Sequence, residues 1–186
     1  DFGADSVRLF ILSDSPPEKD VQWSDEGIIA SYKFIQKLWS LNSKITDEIE
    51  KNHKSDQDNE LNKITNNFIN NVTNNLKRFT YNKIIANFYE IYSEISAILK
   101  NKYTSKTIIE NYKKILICMM PVIPHFANEC VSLLKTTDQI EWPKINKNLL
   151  VEKEINFVIQ INGKKRGLIK TNRDISERDL INLIKT

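Results

Sequence analysis

The chain has 186 residues, 40% hydrophobic and 27% charged, with a formal net charge of +3. That length supports a sizeable core, and four glycines and five prolines exclude a collagen-like or low-complexity chain. No apolar run reaches the roughly 18 residues a membrane span needs, and Asp1-Phe2-Gly3-Ala4-Asp5 lacks the basic and apolar parts of a signal peptide.

The absent start Met predicts a piece of a longer chain. Cys118 and Cys130 make no disulfide scaffold, so a reducing, cytoplasmic setting is expected. Isoleucine (27), lysine (22) and asparagine (21) outnumber leucine (15) and arginine (5), a bias that looks like an AT-rich coding sequence. Single Lys and Asn residues therefore carry less functional information than usual. Residues 1–26 hold two bases and seven acids, residues 27–137 fifteen and ten, and residues 138–186 ten and seven. An acidic start and a basic body suit a polyanionic partner, and a solvated lysine surface equally well.

In chain order, residues 5–13 read as a short buried helix, stopped by Ser15-Pro16-Pro17-Glu18. Val21-Gln22-Trp23 is extended. Ser24 caps a long helix whose apolar stripe is Ile28, Tyr32, Ile35 and Trp39. The polar stretch Lys51 to Asp58 is a loop. A second helix carries Leu61, Ile64, Phe68, Val72 and Leu76. A third carries Ile84, Phe88, Ile91, Ile95 and Ile98, with Tyr89 and Tyr92 widening its core face. A fourth carries Ile108, Tyr112, Ile115 and Met119, and Pro121 ends it. Pro124 suits the first turn of a fifth, through Phe126, Cys130 and Leu134. These four or five amphipathic helices predict an up-and-down bundle over residues 27–137.

Residues 138–154 read as a linker. The period then drops to two: Phe157, Ile159 and Ile161 alternate with Val158, Gln160 and Asn162. Asn162-Gly163 is a hairpin turn signal, and the return strand runs from Lys164 to Thr171. Ser176-Glu177-Arg178-Asp179 opens a last helix through Ile184. A hairpin and one helix are marginal alone, so residues 155–186 read as the truncated start of a small α+β domain. The expected fold class is thus mainly α, with a β-hairpin near the end.

Candidate chemistry is sparse. His125 opens the fifth helix and reads as a side chain fixed by local hydrogen bonds rather than a base or ligand. Cys118, His125 and Cys130 lack zinc-ligand spacing, and both cysteines fall on apolar positions; no metal is expected. Asp5 and Arg8, one turn apart, suit an i,i+3 ion pair. On the first long helix Lys33, Lys37 and Lys44 recur on one face, a pattern that can track a phosphate backbone. The hairpin tip gathers Lys164, Lys165 and Arg166 beside Gly163, a cluster that suits an anion.

The residues resemble a known family. Gly3-Ala4-Asp5-Ser6-Val7-Arg8-Leu9-Phe10 is similar to the Gly-Ala-Asp-x-x-Arg run of class I aminoacyl-tRNA synthetases. Tyr32-Lys33-Phe34-Ile35-Gln36-Lys37-Leu38-Trp39 resembles the opening helix of the leucyl-type anticodon-binding domain. Leu61 to Ile64, Arg78 to Ala86 and Met120-Pro121-Val122-Ile123-Pro124-His125-Phe126 look like further motifs of that family. Val158-Ile159-Gln160-Ile161-Asn162-Gly163-Lys164-Lys165-Arg166-Gly167 is similar to the bacterial leucyl C-terminal hairpin.

The resemblance implies an end of the catalytic domain (residues 1–26), a class I anticodon-binding bundle (27–137), a linker and the beginning of a C-terminal tRNA-binding domain. It implies a parent that attaches leucine to its tRNA with ATP and Mg2+, cytoplasmic and monomeric. Its partners would be leucine tRNA and the catalytic and editing domains of the same chain, with no membrane. The nucleotide signatures of the class are absent here, so this piece is expected to be catalytically inert and without a cofactor of its own. In the family the bundle does not read the anticodon and the C-terminal domain touches the tRNA elbow. Lys33, Lys37, Lys44, Lys164, Lys165 and Arg166 would then hold tRNA, while Asp5, Arg8, Trp39, Pro121, Pro124, His125, Asn162 and Gly163 would be structural. A scaffold that braces the catalytic core and binds little tRNA is the alternative.

Overall fold

The structure, a computed structural model, describes residues 2–14, 19–51, 53, 58–136, 139–150, 154–161, 164–172 and 175–185. Contacts divide the chain into two compact units, residues 1–146 and residues 147–186.

The described regular elements of the first unit are helices: α1 (Ala4–Asp14), α2 (Asp25–Lys51), α3 (Asp58–Lys77), α4 (Tyr81–Ile98), α5 (Ser105–Met119) and α6 (Pro124–Leu133). Ser24 caps α2, accepting from the Gly27 N–H at 3.1 Å. Gly27 has a further reason to lack a side chain: a Cβ there would lie 2.5 Å from the Phe10 ring of α1. Thr104 caps α5 by accepting from the Thr107 N–H, and Pro124 occupies the first turn of α6, where its missing N–H costs nothing. The Pro16–Pro17 stop and most of the 51–58 loop lie outside the described residues.

Each helix buries its apolar face, and the core runs through Phe34, Leu38, Ile45, Val72, Ile84, Phe88, Ile115 and Phe126. On α2 the stripe is turned from the expected one. Ile28, Phe34, Ile35, Leu38, Leu41 and Ile45 are buried, while Tyr32 is half-buried and Trp39 is 37% exposed. Both aromatics flank the seam, Trp39 meeting Phe126 edge-on at 5.0 Å. On α4, Tyr92 packs against the core from a half-buried position, whereas Tyr89 is exposed and stacks on Phe34 at 3.9 Å. Tyr89 is therefore a rim residue, contrary to its expected place in the core. The bundle is not built from successive neighbours alone: α3 lies against both α4 and α5, α5 against α2 and α6, and α1 against α2 and α4.

Residues 139–146 stay with this first unit. Buried Asn66 on α3 donates to the Asn146 carbonyl at 2.9 Å and accepts from the Asn146 N–H at 2.7 Å. Trp142 donates its indole N–H to Thr73 Oγ1 at 3.0 Å.

The second unit comprises a short 3-10 turn (Lys147–Leu149), an antiparallel hairpin of β1 (Glu154–Ile161) and β2 (Lys164–Asn172), and α7 (Glu177–Lys185). Ser176 caps α7, accepting from the Asp179 N–H and donating to its carboxylate. Alternation holds: Phe157 and Ile159 are half-buried while Val158 and Leu168 are exposed. The ladder slips once. Ile159 faces Gly167 but Gln160 faces Lys165, so Arg166 is an extra residue, a β-bulge. The Asn162-Gly163 turn lies outside the described residues.

Candidate nucleic-acid interface

The first candidate surface is the outer face of α2. Lys33, Lys37 and Lys44 are all exposed, on one side of the helix and away from the buried stripe. They span about 16 Å of helix axis. From Gly27 to Thr46 the helix holds these three bases and no acid. None of the three is in an ion pair among the described residues. Three uncompensated ammonium groups in a row can hold a polyanion by its backbone and release counterions, without reading sequence.

The second surface is the hairpin. Arg166 is exposed, and the bulge places it outside the pairing register. Lys164 and Lys165 belong to β2 opposite Ile161 and Gln160; their side chains lie outside what is described. All three cations are on the strand itself. Gly167, a glycine inside a strand pattern, was the available signal for the bulge.

Asp5 and Arg8 do not pair with each other. Both reach instead to the turn between α5 and α6. Arg8 donates to the carbonyls of Pro121 (2.8 Å) and Val122 (2.9 Å). Asp5, 7% exposed, accepts from the Phe126 N–H at 2.7 Å and the His125 N–H at 3.4 Å, and meets His125 Nδ1 at 2.8 Å. The physical reason is supply. Pro121 and Val122 present carbonyls past the last turn of α5, and the start of α6 presents N–H groups without helical partners. Arg8 and Asp5 satisfy both sets at once, which an internal ion pair would forgo. His125 is thus fixed by a partner 120 residues away rather than locally. Its exposed ring lines an open cleft of about 520 Å³ with Tyr32, Trp39, Phe126 and Glu129.

Among the described residues no group of three or more His, Cys, Asp or Glu side chains gathers. Cys118 and Cys130 are buried, and burial pushes both thiols up to about 12. No described helix is long and apolar enough to cross a membrane.

Comparison with known proteins bears on this bundle directly. The family model for the anticodon-binding domain of tRNA ligase matches residues 58–181. A leucine–tRNA ligase of Prochlorococcus marinus is 35% identical over 95% of the chain, and one of Orientia tsutsugamushi is 38% identical over 96%. In each case the chain spans about a fifth (21%) of the relative's length. The fold coincides with part of an Agrobacterium radiobacter LeuRS solved in a ternary complex with tRNA and LeuAMS: TM-score 0.81, 22% identity, 98% of this chain and 25% of that one. With a family match over most of its length and the helical bundle that match requires, the chain belongs to the anticodon-binding domain family of tRNA ligases.

Proposed function

We propose that this chain is the tRNA-docking part of a leucine–tRNA ligase, a longer cytoplasmic and monomeric enzyme that joins leucine to its tRNA using ATP and Mg2+. The observation that carries the docking role is the acid-free face of α2 with Lys33, Lys37 and Lys44 exposed and, among the described residues, in no ion pair. In this reading residues 1–26 are the end of the catalytic domain, 27–137 the docking bundle, 138–154 a connector, and 155–186 the start of a tRNA-binding domain with Lys164, Lys165 and Arg166 on its hairpin. The chain's own residues do not fit a nucleotide site. Gly3, Gly27, Gly163 and Gly167 are dispersed, so no glycine-rich loop cradles phosphate. ATP and Mg2+ belong to the rest of the enzyme, and no chemical step is assigned here.

A second reading, a brace for the catalytic core, is favoured by the Asp5 and Arg8 clamp, which ties α1 to the α5–α6 turn. The two readings separate by experiment. In the full-length enzyme, Lys33→Gln, Lys37→Gln and Lys44→Gln together should weaken leucine tRNA binding and flatten its salt dependence. Unchanged affinity and slope would leave the bracing role alone.

A further inference from the structure

The turn joining α3 to α4 is built at a conformational cost that its own packing does not offset. The Thr80 N–H bonds the Asn75 carbonyl at 3.0 Å and the Phe79 N–H bonds that of Leu76 at 3.1 Å. This is the Schellman pattern, in which the residue after the helix end adopts a left-handed conformation and is usually glycine. Here it is Phe79, at φ 54°. A Cβ is disfavoured there, and a phenylalanine offsets that only by burying its ring. Phe79 is 64% exposed, and its one aromatic neighbour among the described residues is Tyr81, edge-on at 6.3 Å.

The conformation is held from behind. Thr80 Oγ1 donates to Asn75 Oδ1 (3.0 Å), Asn75 Nδ2 to Asn87 Oδ1 (2.9 Å), and Asn87 Nδ2 to Glu90 Oε2 (2.9 Å). With its hydroxyl turned back, Thr80 does not cap α4; the Asn82 Oδ1 accepts from the Lys83 N–H at 3.0 Å instead. Lys77 and Arg78 immediately precede Phe79 and Lys83 lies in the first turn of α4, all exposed and none in an ion pair among the described residues. Between Glu60 and Glu90 the sequence holds four bases and no acid.

We propose that this turn is an RNA contact in which Phe79 stacks on an unpaired base while Lys77, Arg78 and Lys83 hold the adjoining phosphates. A preset exposed aromatic with cations close by in the chain is the pairing that single-stranded nucleic acid recognises: the π-face takes any base, and the charges follow the backbone. Strain concentrated at one exposed side chain, kept in place by a separate hydrogen-bond network, is the pattern of a preorganised binding element. The inference deepens the tRNA-docking reading and rests on it.

The test uses the full-length enzyme and a fluorescent leucine tRNA transcript, with affinity read by anisotropy and folding by thermal unfolding. Phe79→Gly relieves the backbone strain, so its unfolding midpoint should equal or exceed wild type while tRNA affinity falls about tenfold. Phe79→Leu keeps the strain and loses the stacking face, and should bind as weakly. Phe79→Tyr should retain affinity. Lys77→Gln, Arg78→Gln and Lys83→Gln together should lower the salt slope by about two. Wild-type affinity in Phe79→Gly and Phe79→Leu overturns the proposal. If those two bind normally while the Lys33, Lys37 and Lys44 variant is weakened, the docking role stands and only the turn's role falls. A wild-type enzyme that binds no tRNA removes both.

Discussion

Asp5 and His125 stand 120 positions apart in sequence, yet the Asp5 carboxylate lies 2.8 Å from His125 Nδ1 and also accepts from the Phe126 N–H at 2.7 Å. The carboxylate acts as the N-terminal cap of α6, supplied from α1 because Pro124 and Ile123 offer no side-chain oxygen. It is 7% exposed, and its bond to the Phe126 N–H is buried.

Asp5→Ala should therefore cost about 2 kcal/mol, the upper range for a cap whose loss strands a buried donor. Asp5→Asn keeps one acceptor and should cost less. Urea unfolding of both variants checks the order. An Asp5→Ala midpoint equal to wild type would mean that water replaces the carboxylate, and that α1 is not locked by it.

The positions of the helices were readable because each buries one face, and a period of 3.6 survives any choice of neighbour. Orientation was less readable. On α2 the large aromatics Tyr32 and Trp39 marked the wrong edge of the stripe: long side chains reach the core from the flank, so their Cα positions need not face it. Asp5 and Arg8 invited a local pairing, because one turn of helix is all that sequence spacing displays; the open carbonyls and N–H groups of the α5–α6 turn exist only after folding. Phe79 gave no warning, since the usual mark of a left-handed residue is Gly or Asn. The lysine face of α2 was legible, being a matter of period and sign alone.

Cys118 and Cys130 supply a pH dependence whose sign follows from burial. Burial raises each thiol from an ordinary 9.0 to about 12 in the folded protein. Above pH 9 the unfolded chain releases these protons while the folded chain keeps them. The unfolded state then binds fewer protons, so stability falls as pH rises from about 9 to about 12. Each thiol contributes a slope of roughly 1.4 kcal/mol per pH unit. The buried Tyr112 hydroxyl, pushed well above its usual value by desolvation, acts in the same direction. Urea midpoints at pH 8, 9.5 and 11 should decline, and Cys118→Ala should decline less steeply than wild type despite its lower starting stability. Parallel curves would show that the thiol ionises as readily folded as unfolded.

Tyr112 and Asn42 form a buried polar contact between α5 and α2. The Tyr112 hydroxyl donates to Asn42 Oδ1 at 3.0 Å, with the two residues 6% and 5% exposed. A neutral buried hydrogen bond contributes only about 1 kcal/mol net, because the unfolded groups bond water instead. Removing one partner is worse than removing both, since the survivor is left buried and unpaired. Tyr112→Phe strands the Asn42 Oδ1 and should cost about 1–3 kcal/mol. Adding Asn42→Leu, which removes the stranded group and fills similar space, should recover part of that loss. A double-mutant cycle by urea unfolding measures this, with the double variant more stable than Tyr112→Phe alone. If the two losses simply add, Asn42 has found another donor in the single variant, and the pair does not act as a unit in joining α5 to α2.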